Sequence, residues 1–455
     1  MNSILRTMQM IHRSAMEVFF QDRRTDWMKC IASAVAAASL ATATMAAEPH
    51  PPRVWTSTTG TTVEARLVEI GESTVTLVRK DGGAPLKVRL DQLSAADQTY
   101  LGEIQKKLDE GPTGATSIAG LDAAPGEIRG PIACKDGKWS YHLYLPKGFH
   151  DGRKWPVWFI MSPGGGDHGG ILQRYVTGAE RLGCILALSV ESKNDFADSD
   201  LAMEAMADDV MARLPVLDGM CFSSGSSGGS RMAYLLAERN KSIAGVLASA
   251  SGSGVYLKEK DFRDAQLRKS VKVYSLIGTN CFNRSEAVTS HEKLPADCRL
   301  RFFPGGHDWA DSPYIEEAMA RLHGAALMAG KAPDLVPLRR IYSRTMAAWM
   351  KEMVADQPWE AEYWADFLKD FPGDPSAAKQ ASEMFLELTS NPQVKLARDA
   401  EKDIRRFSLK HFNRYISMEE GRKPDPDRAA EAKKLAAKYP GLPHAEILEK
   451  LGDPS

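Results

Sequence analysis

The chain has 455 residues, 43% of them hydrophobic and 26% charged, which is enough apolar content for two or three packed domains. Its 58 Lys and Arg against 59 Asp and Glu leave a net charge of −1 with the signs well mixed. That balance argues against nucleic acid or an anionic membrane surface as the principal partner.

Residues 1–47 read as a leader and signal peptide. Met28-Lys29-Cys30-Ile31 opens a short basic start and an apolar middle that runs to Leu40, and Thr44-Met45-Ala46-Ala47 supplies small residues suited to cleavage. The apolar stretch is too short for a stable membrane span, so the mature chain is expected to be exported, periplasmic or extracellular, without a span. Met28 alone begins a complete signal, so residues 1–27 read as an upstream start chosen in error. Residues 53–101 form the next unit. Val63 to Leu67 and Leu86 to Leu90 alternate apolar and charged residues, Thr74 to Val78 runs into a Lys80-Asp81-Gly82-Gly83 turn, and Ser94 with Asp97 caps a short helix. This arrangement, with Trp55 and Gly60, resembles the Sla-type homology domain 1. The resemblance implies a small all-β barrel; it is either a peptide- or protein-binding attachment module or a passive spacer. Residues 102–127 hold the helix end and a Gly-, Ala-, Pro- and Thr-rich flexible linker.

Residues 128–330 carry the chemistry. Pro156 to Met161 reads as a buried strand entering Ser162-Pro163-Gly164-Gly165-Gly166, and Cys184 to Val190 as a second strand. Ala244 to Ala250, Val271 to Ile277 and Arg299 to Phe303 follow, separated by helical stretches, which indicates a parallel sheet covered on both faces. Between them Gly225-Ser226-Ser227-Gly228-Gly229 contains G-x-S-x-G, the pattern of a serine held on a tight strand-to-helix turn. After the last strand comes Gly306-His307-Asp308-Trp309. These pieces, with Leu143 to Phe149, resemble the α/β-hydrolases grouped with polyhydroxybutyrate depolymerases and feruloyl or acetyl-xylan esterases. The resemblance implies an α/β fold with a doubly wound, mostly parallel sheet. Ser227 is then the nucleophile and His307 the general base. The Gly228 amide, with that of Gly164 or Gly165, is expected to hold the oxyanion, and Gly165 is the candidate taken forward.

One expected group is missing. The family's acid sits in a segment resembling Gly-Thr-Asn-Asp-Phe-Asn, whereas here Gly278-Thr279-Asn280-Cys281-Phe282-Asn283 puts a thiol in its place. Glu286 is the nearest substitute carboxylate; Asp308, adjacent to the histidine, is poorly placed for the geometry. Cys134, Cys184, Cys221, Cys281 and Cys298 make an odd set that is no disulfide framework, and no spacing suggests a metal or other cofactor. Residues 334–455 read as a charged helical region, with Phe371-Pro372-Gly373-Asp374-Pro375 echoed by Tyr439-Pro440-Gly441-Leu442-Pro443. Two functions follow from the sequence. One is an exported serine esterase acting on a small-molecule or polysaccharide ester. The other is a hydrolase-fold binding protein in which Cys281 marks lost catalysis and the flanking regions bind partners.

Overall fold

The computed structural model describes residues 52–70, 74–79, 86–110, 121, 123–166, 169–252, 271–295, 298–330, 335–412 and 425–453. The leader, the Lys80 to Gly83 turn and most of the linker lie outside the described residues. The chain divides into two units, one ending at Leu101 and one starting at Gly102.

In the first unit β1 (Arg53–Thr56), β2 (Thr62–Ile70), β3 (Thr74–Arg79) and β4 (Leu86–Arg89) pair antiparallel in that order. These four strands form an antiparallel sheet, and beyond β4 the chain returns to the end of β1, where Ser57 bridges Leu93 and the Thr58 amide donates to the Gln92 carbonyl at 2.9 Å. Alternation does the sorting: Val75 and Leu77 are buried while their neighbours are not, and the Trp55 indole donates to the Ala65 carbonyl at 2.9 Å. Helix α1 (Ala95–Glu110) starts at a capping box in which the Asp97 amide donates to Ser94 Oγ at 3.2 Å. The buried Asp97 carboxylate also accepts from the Thr56 amide and Arg53, tying the helix start to β1.

The second unit is built on an eight-stranded mixed sheet. Its strands are β5 (Ile128–Ala133), β6 (Ser140–Tyr144), β7 (Trp155–Met161), β8 (Ile185–Ser189), β9 (Val216–Ser226), β10 (Ile243–Ser249), β11 (Lys272–Gly278) and β12 (Arg299–Phe303), in the order β12-β11-β10-β9-β7-β8-β6-β5. Strands β12 to β8 in that order run parallel, and β6 and β5 add antiparallel pairings at one edge. Along β7, Trp158 and Ile160 enter one core while Val157, Phe159 and Met161 enter the other. The period of two thus buries an all-apolar strand on both faces. Helices α2 (Gln173–Leu182) and α6 (Ser312–Ala329) cover the first face; α3 (Ser199–Arg213) and α4 (Gly228–Arg239) cover the second. Helix α5 (Arg284–His291) follows β11. This is an α/β fold.

Six further helices follow among the described residues: α7 (Leu335–Met353), α8 (Pro358–Leu368), α9 (Pro375–Thr389), α10 (Pro392–Phe412), α11 (Pro426–Ala436) and α12 (Pro443–Gly452). The two echoed Pro-Gly turns precede α9 and α12, each of which starts on a proline at a position where its missing amide hydrogen costs nothing. These helices share the sheet's cores: Met346 and Trp364 join Trp158 and Leu276, and Phe407 and Phe412 join Ala250, Ile277 and Phe302. Glu360 of α8 bonds Arg301 of β12 at 3.0 Å and Arg321 of α6 at 2.8 Å. Burial alone would raise that carboxyl's pKa, but Arg301, Arg321 and Arg299 together hold it well below the usual range.

Candidate active site

Ser227 sits between the last residue of β9 and the first of α4, with φ 53° and ψ −118°. A non-glycine residue in that conformation is strained, and the surrounding backbone sustains it: the Ser227 amide donates to the Ser249 carbonyl at 2.8 Å. The flanking glycines are demanded by close approach. A Cβ on Gly225 would stand 2.3 Å from the Gly229 carbonyl, and one on Gly229 would stand 2.2 Å from the Met161 oxygen. The spacing G-x-S-x-G therefore encodes a crossing of three backbone segments.

Parallel strands end together, so β9, β11 and β12 deliver their following loops to one edge of the sheet. The loops after β11 and β12 are then joined by backbone hydrogen bonds, Thr279 to the Phe303 oxygen at 2.9 Å and Asn280 to the Gly305 oxygen at 2.8 Å. A side chain on Gly278 would collide with the Gly306 oxygen at 2.1 Å. This pairing carries His307 to Ser227, with Nε2 2.9 Å from Oγ, and Cys281 to the other ring nitrogen, with Sγ 3.2 Å from Nδ1. The Phe282 ring stacks on the imidazole at 3.7 Å between centroids and 22° between planes. The imidazole is thus held at both nitrogens and on one face.

The electrostatics differ from those of a carboxylate-backed histidine. Burial, relieved in part by the Asn283 backbone and Arg284, pushes the Cys281 thiol up to about 11, so at neutral pH it is uncharged. Its proton has two acceptors, Nδ1 and the Ala250 carbonyl 3.8 Å away. Given to Nδ1, it forces the imidazole proton onto Nε2, where it cannot accept from the serine; given to Ala250, it frees sulfur to accept from Nδ1–H. Only the second arrangement leaves Nε2 basic. Burial, then the nearby Arg231, lowers the His307 pKa, while Asp308 and Glu286 act in the opposite direction.

Glu286 is not brought to Nδ1. Its carboxylate accepts from Arg231 at 2.9 Å and from Ser251 at 3.2 Å, while Cys281 holds the ring nitrogen. Gly165 likewise does not present its amide: the N–H closes a turn onto the Ser162 carbonyl at 3.2 Å. Its neighbours are also engaged, Gly164 with Ser162 Oγ at 3.3 Å and Gly166 with the Val190 carbonyl at 3.1 Å. Gly228, at the first position of α4, has an amide that the helix leaves over and that takes no partner among the described residues. Two groups here were missed in the sequence, Phe282 and Arg231 four residues past the serine. Both could have been found from their spacing to Cys281 and Ser227. The five cysteines named above are all buried and free.

A cavity of about 1490 Å³ opens elsewhere, among β12, α5, α6 and the C-terminal helices, lined in part by Arg301, Arg321, Trp359 and Tyr363. Neither Ser227 nor His307 faces it, so cavity size does not locate this chemistry.

No protein-family model matches the chain, and no curated protein sequence matches it. Among solved structures, the chain is similar to a ferulic acid esterase from Anaeromyces mucronatus, with 15% identity, a TM-score of 0.35, and 46% of this chain and 95% of that one covered. It is also similar to the fluorophosphonate-binding serine hydrolase FphF of Staphylococcus aureus, with 12% identity, a TM-score of 0.34, and 41% and 92% covered. A third, an acetyl xylan esterase from Aspergillus awamori, has 12% identity, a TM-score of 0.33, and 43% and 100% covered.

Proposed function

We propose that this chain is an exported serine hydrolase of the α/β-hydrolase type that cleaves a carboxylic ester, of a small molecule or a polysaccharide, with Ser227 as nucleophile. The observation that carries the proposal is the 2.9 Å contact between His307 Nε2 and the oxygen of a serine held at φ 53° on a strand-to-helix turn. His307 takes the Ser227 proton as the oxygen attacks the ester carbonyl, and the Gly228 amide receives the developing oxyanion. The imidazolium then returns that proton to the departing alcohol. Water, deprotonated by the same nitrogen, releases the acid and regenerates the serine. The neutral Cys281 orients the ring without stabilising the imidazolium, which supports a slow enzyme: loss of the corresponding carboxylate costs ~10⁴ in turnover in serine proteases. Export is supported by the signal-like segment from Met28 to Ala47. The N-terminal unit, on its resemblance to the Sla-type domain, is proposed to attach the enzyme through a peptide or protein partner.

Labelling the purified chain with a fluorophosphonate probe, wild type against Ser227→Ala, tests the reading. Strong labelling lost in the variant supports an activated serine. The second reading, a binding protein, is favoured by the uncharged Cys281, and equal absence of labelling in both proteins would select it.

A further inference from the structure

An oxyanion hole needs two donors converging on one oxygen. Gly228 can supply one. The Gly-rich loop after β7 spends its amides on Ser162 and Val190, so the second donor must come from another element. The loop after β8 brings one. Its Asn194 amide donates to the Pro163 carbonyl at 2.9 Å, which straps this loop onto the Gly-rich segment. From there the side chain reaches the first turn of α4. A Cβ on Gly228 would lie 1.8 Å from Asn194 Oδ1 and 3.3 Å from Nδ2. The carboxamide is exposed and takes no hydrogen-bond partner among the described residues. Half a turn about its terminal bond brings the two-proton Nδ2 to the position now held by oxygen.

We infer that the Asn194 carboxamide, packed against Gly228 and strapped to Pro163, is the second oxyanion donor of this site. The inference rests on the hydrolase reading above and assigns a further catalytic residue within it. It also gives Gly228 a reason to be glycine: any side chain there would evict the donor. The neighbouring glycines exclude side chains because of backbone, whereas Gly228 does so because of a movable carboxamide.

The experiment compares wild type, Asn194→Ala, Asn194→Asp, Gly228→Ala and the Asn194→Ala/Gly228→Ala pair. Readouts are hydrolysis of p-nitrophenyl acetate, inhibition by a phenylboronic acid that forms a tetrahedral serine adduct, and thermal unfolding. Removing a side-chain donor of this kind lowers kcat by ~10²–10³. Asn194→Ala is expected to do so with KM changed less than about threefold and the boronate weakened in parallel. Asn194→Asp, nearly the same shape but repelling an oxyanion, should lose at least as much. Gly228→Ala keeps the backbone amide yet displaces Asn194, so it should match Asn194→Ala, and the double variant should lose no more than either single one. The bond to Pro163 uses the backbone, so these variants keep it, and unchanged unfolding temperatures check this. Wild-type kcat in Asn194→Ala, beside an inactive Ser227→Ala, overturns the inference and leaves the hydrolase reading intact. Wild type at the Ser227→Ala level in hydrolysis and labelling overturns both.

Discussion

Replacing Cys281 with aspartate should convert an uncharged partner of His307 into the missing anion. Sγ stands 3.2 Å from Nδ1, and a carboxylate oxygen reaches roughly 0.5 Å farther from Cβ, which brings it to the ~2.7 Å expected of a charge-assisted hydrogen bond. The gain follows from the charges. An imidazolium and a carboxylate about 4 Å apart at an effective dielectric near 20 attract by ~4 kcal/mol, or ~10³ in rate. Two local features pull against each other. Residue 281 is fully buried, which disfavours ionisation, while Arg284 already biases this position toward negative charge. Turnover of p-nitrophenyl acetate by Cys281→Asp is therefore expected to rise by ~10³ over wild type. The pH profile gives a second reading with a definite sign. His307 is held below its ordinary value of 6.5, so the acidic limb of kcat/KM should lie below that pH in wild type. An adjacent carboxylate stabilises the imidazolium, so the limb should move to higher pH in the variant. A folded Cys281→Asp protein with wild-type kcat and an unmoved limb would refute the assignment of Cys281 to the acid's place.

Glu286→Gln distinguishes the two acid candidates: with its carboxylate engaged by Arg231 and Ser251, turnover should change less than about tenfold, and the acidic limb should shift slightly lower. A loss of ~10⁴ would instead make Glu286 the acid. Gly229→Ala drives a Cβ into the Met161 carbonyl at 2.2 Å and should cost at least ~3 kcal/mol in urea unfolding, because backbone cannot step aside as a side chain can. Glu360→Ala removes the buried carboxylate shared by Arg321 and the half-buried Arg301, leaves both on Glu317, and should cost ~1–3 kcal/mol by the same measurement, whereas an exposed pair such as Lys402 with Asp399 should be near neutral.

What could be read in the sequence was local. The nucleophile turn is written into consecutive residues because the glycines at 225 and 229 answer collisions within one short stretch and its neighbouring strand. His307 was recognisable because the resemblance implies a base just past the last strand, and parallel strands do deliver their loops to one edge. The substitution at Cys281 was visible only through the family resemblance, which implies an aspartate at that place in Gly278 to Asn283. The misses were relational. Nothing in Ser162 to Gly166 reveals that its amides turn inward, since that depends on the Val190 carbonyl and the serine hydroxyl. Glu286 has the right chemistry and a fitting position in the chain, but α5 turns it toward Arg231. Asn194 is one polar residue in a polar loop, and only the crossing of that loop over Pro163 gives it meaning. In the first unit the alternation of Val75 and Leu77 with more exposed neighbours was legible, because a period of two fixes the faces of a sheet.

The apolar contact between the C-terminal helices and the sheet edge has a practical consequence for anyone who would cut the molecule down. A fragment ending at Gly330 would keep every residue around the serine and look self-sufficient on paper. It would also bare Ala250, Ile277 and Phe302, which Phe407, Phe412 and Leu448 now cover, and strand Arg301 and Arg321 without Glu360. Apolar side chains bared in this way associate between molecules, so such a fragment is expected to be recovered as aggregate. The C-terminal helices are thus part of the core of the unit that carries the serine, and a minimal version of that unit has to keep them.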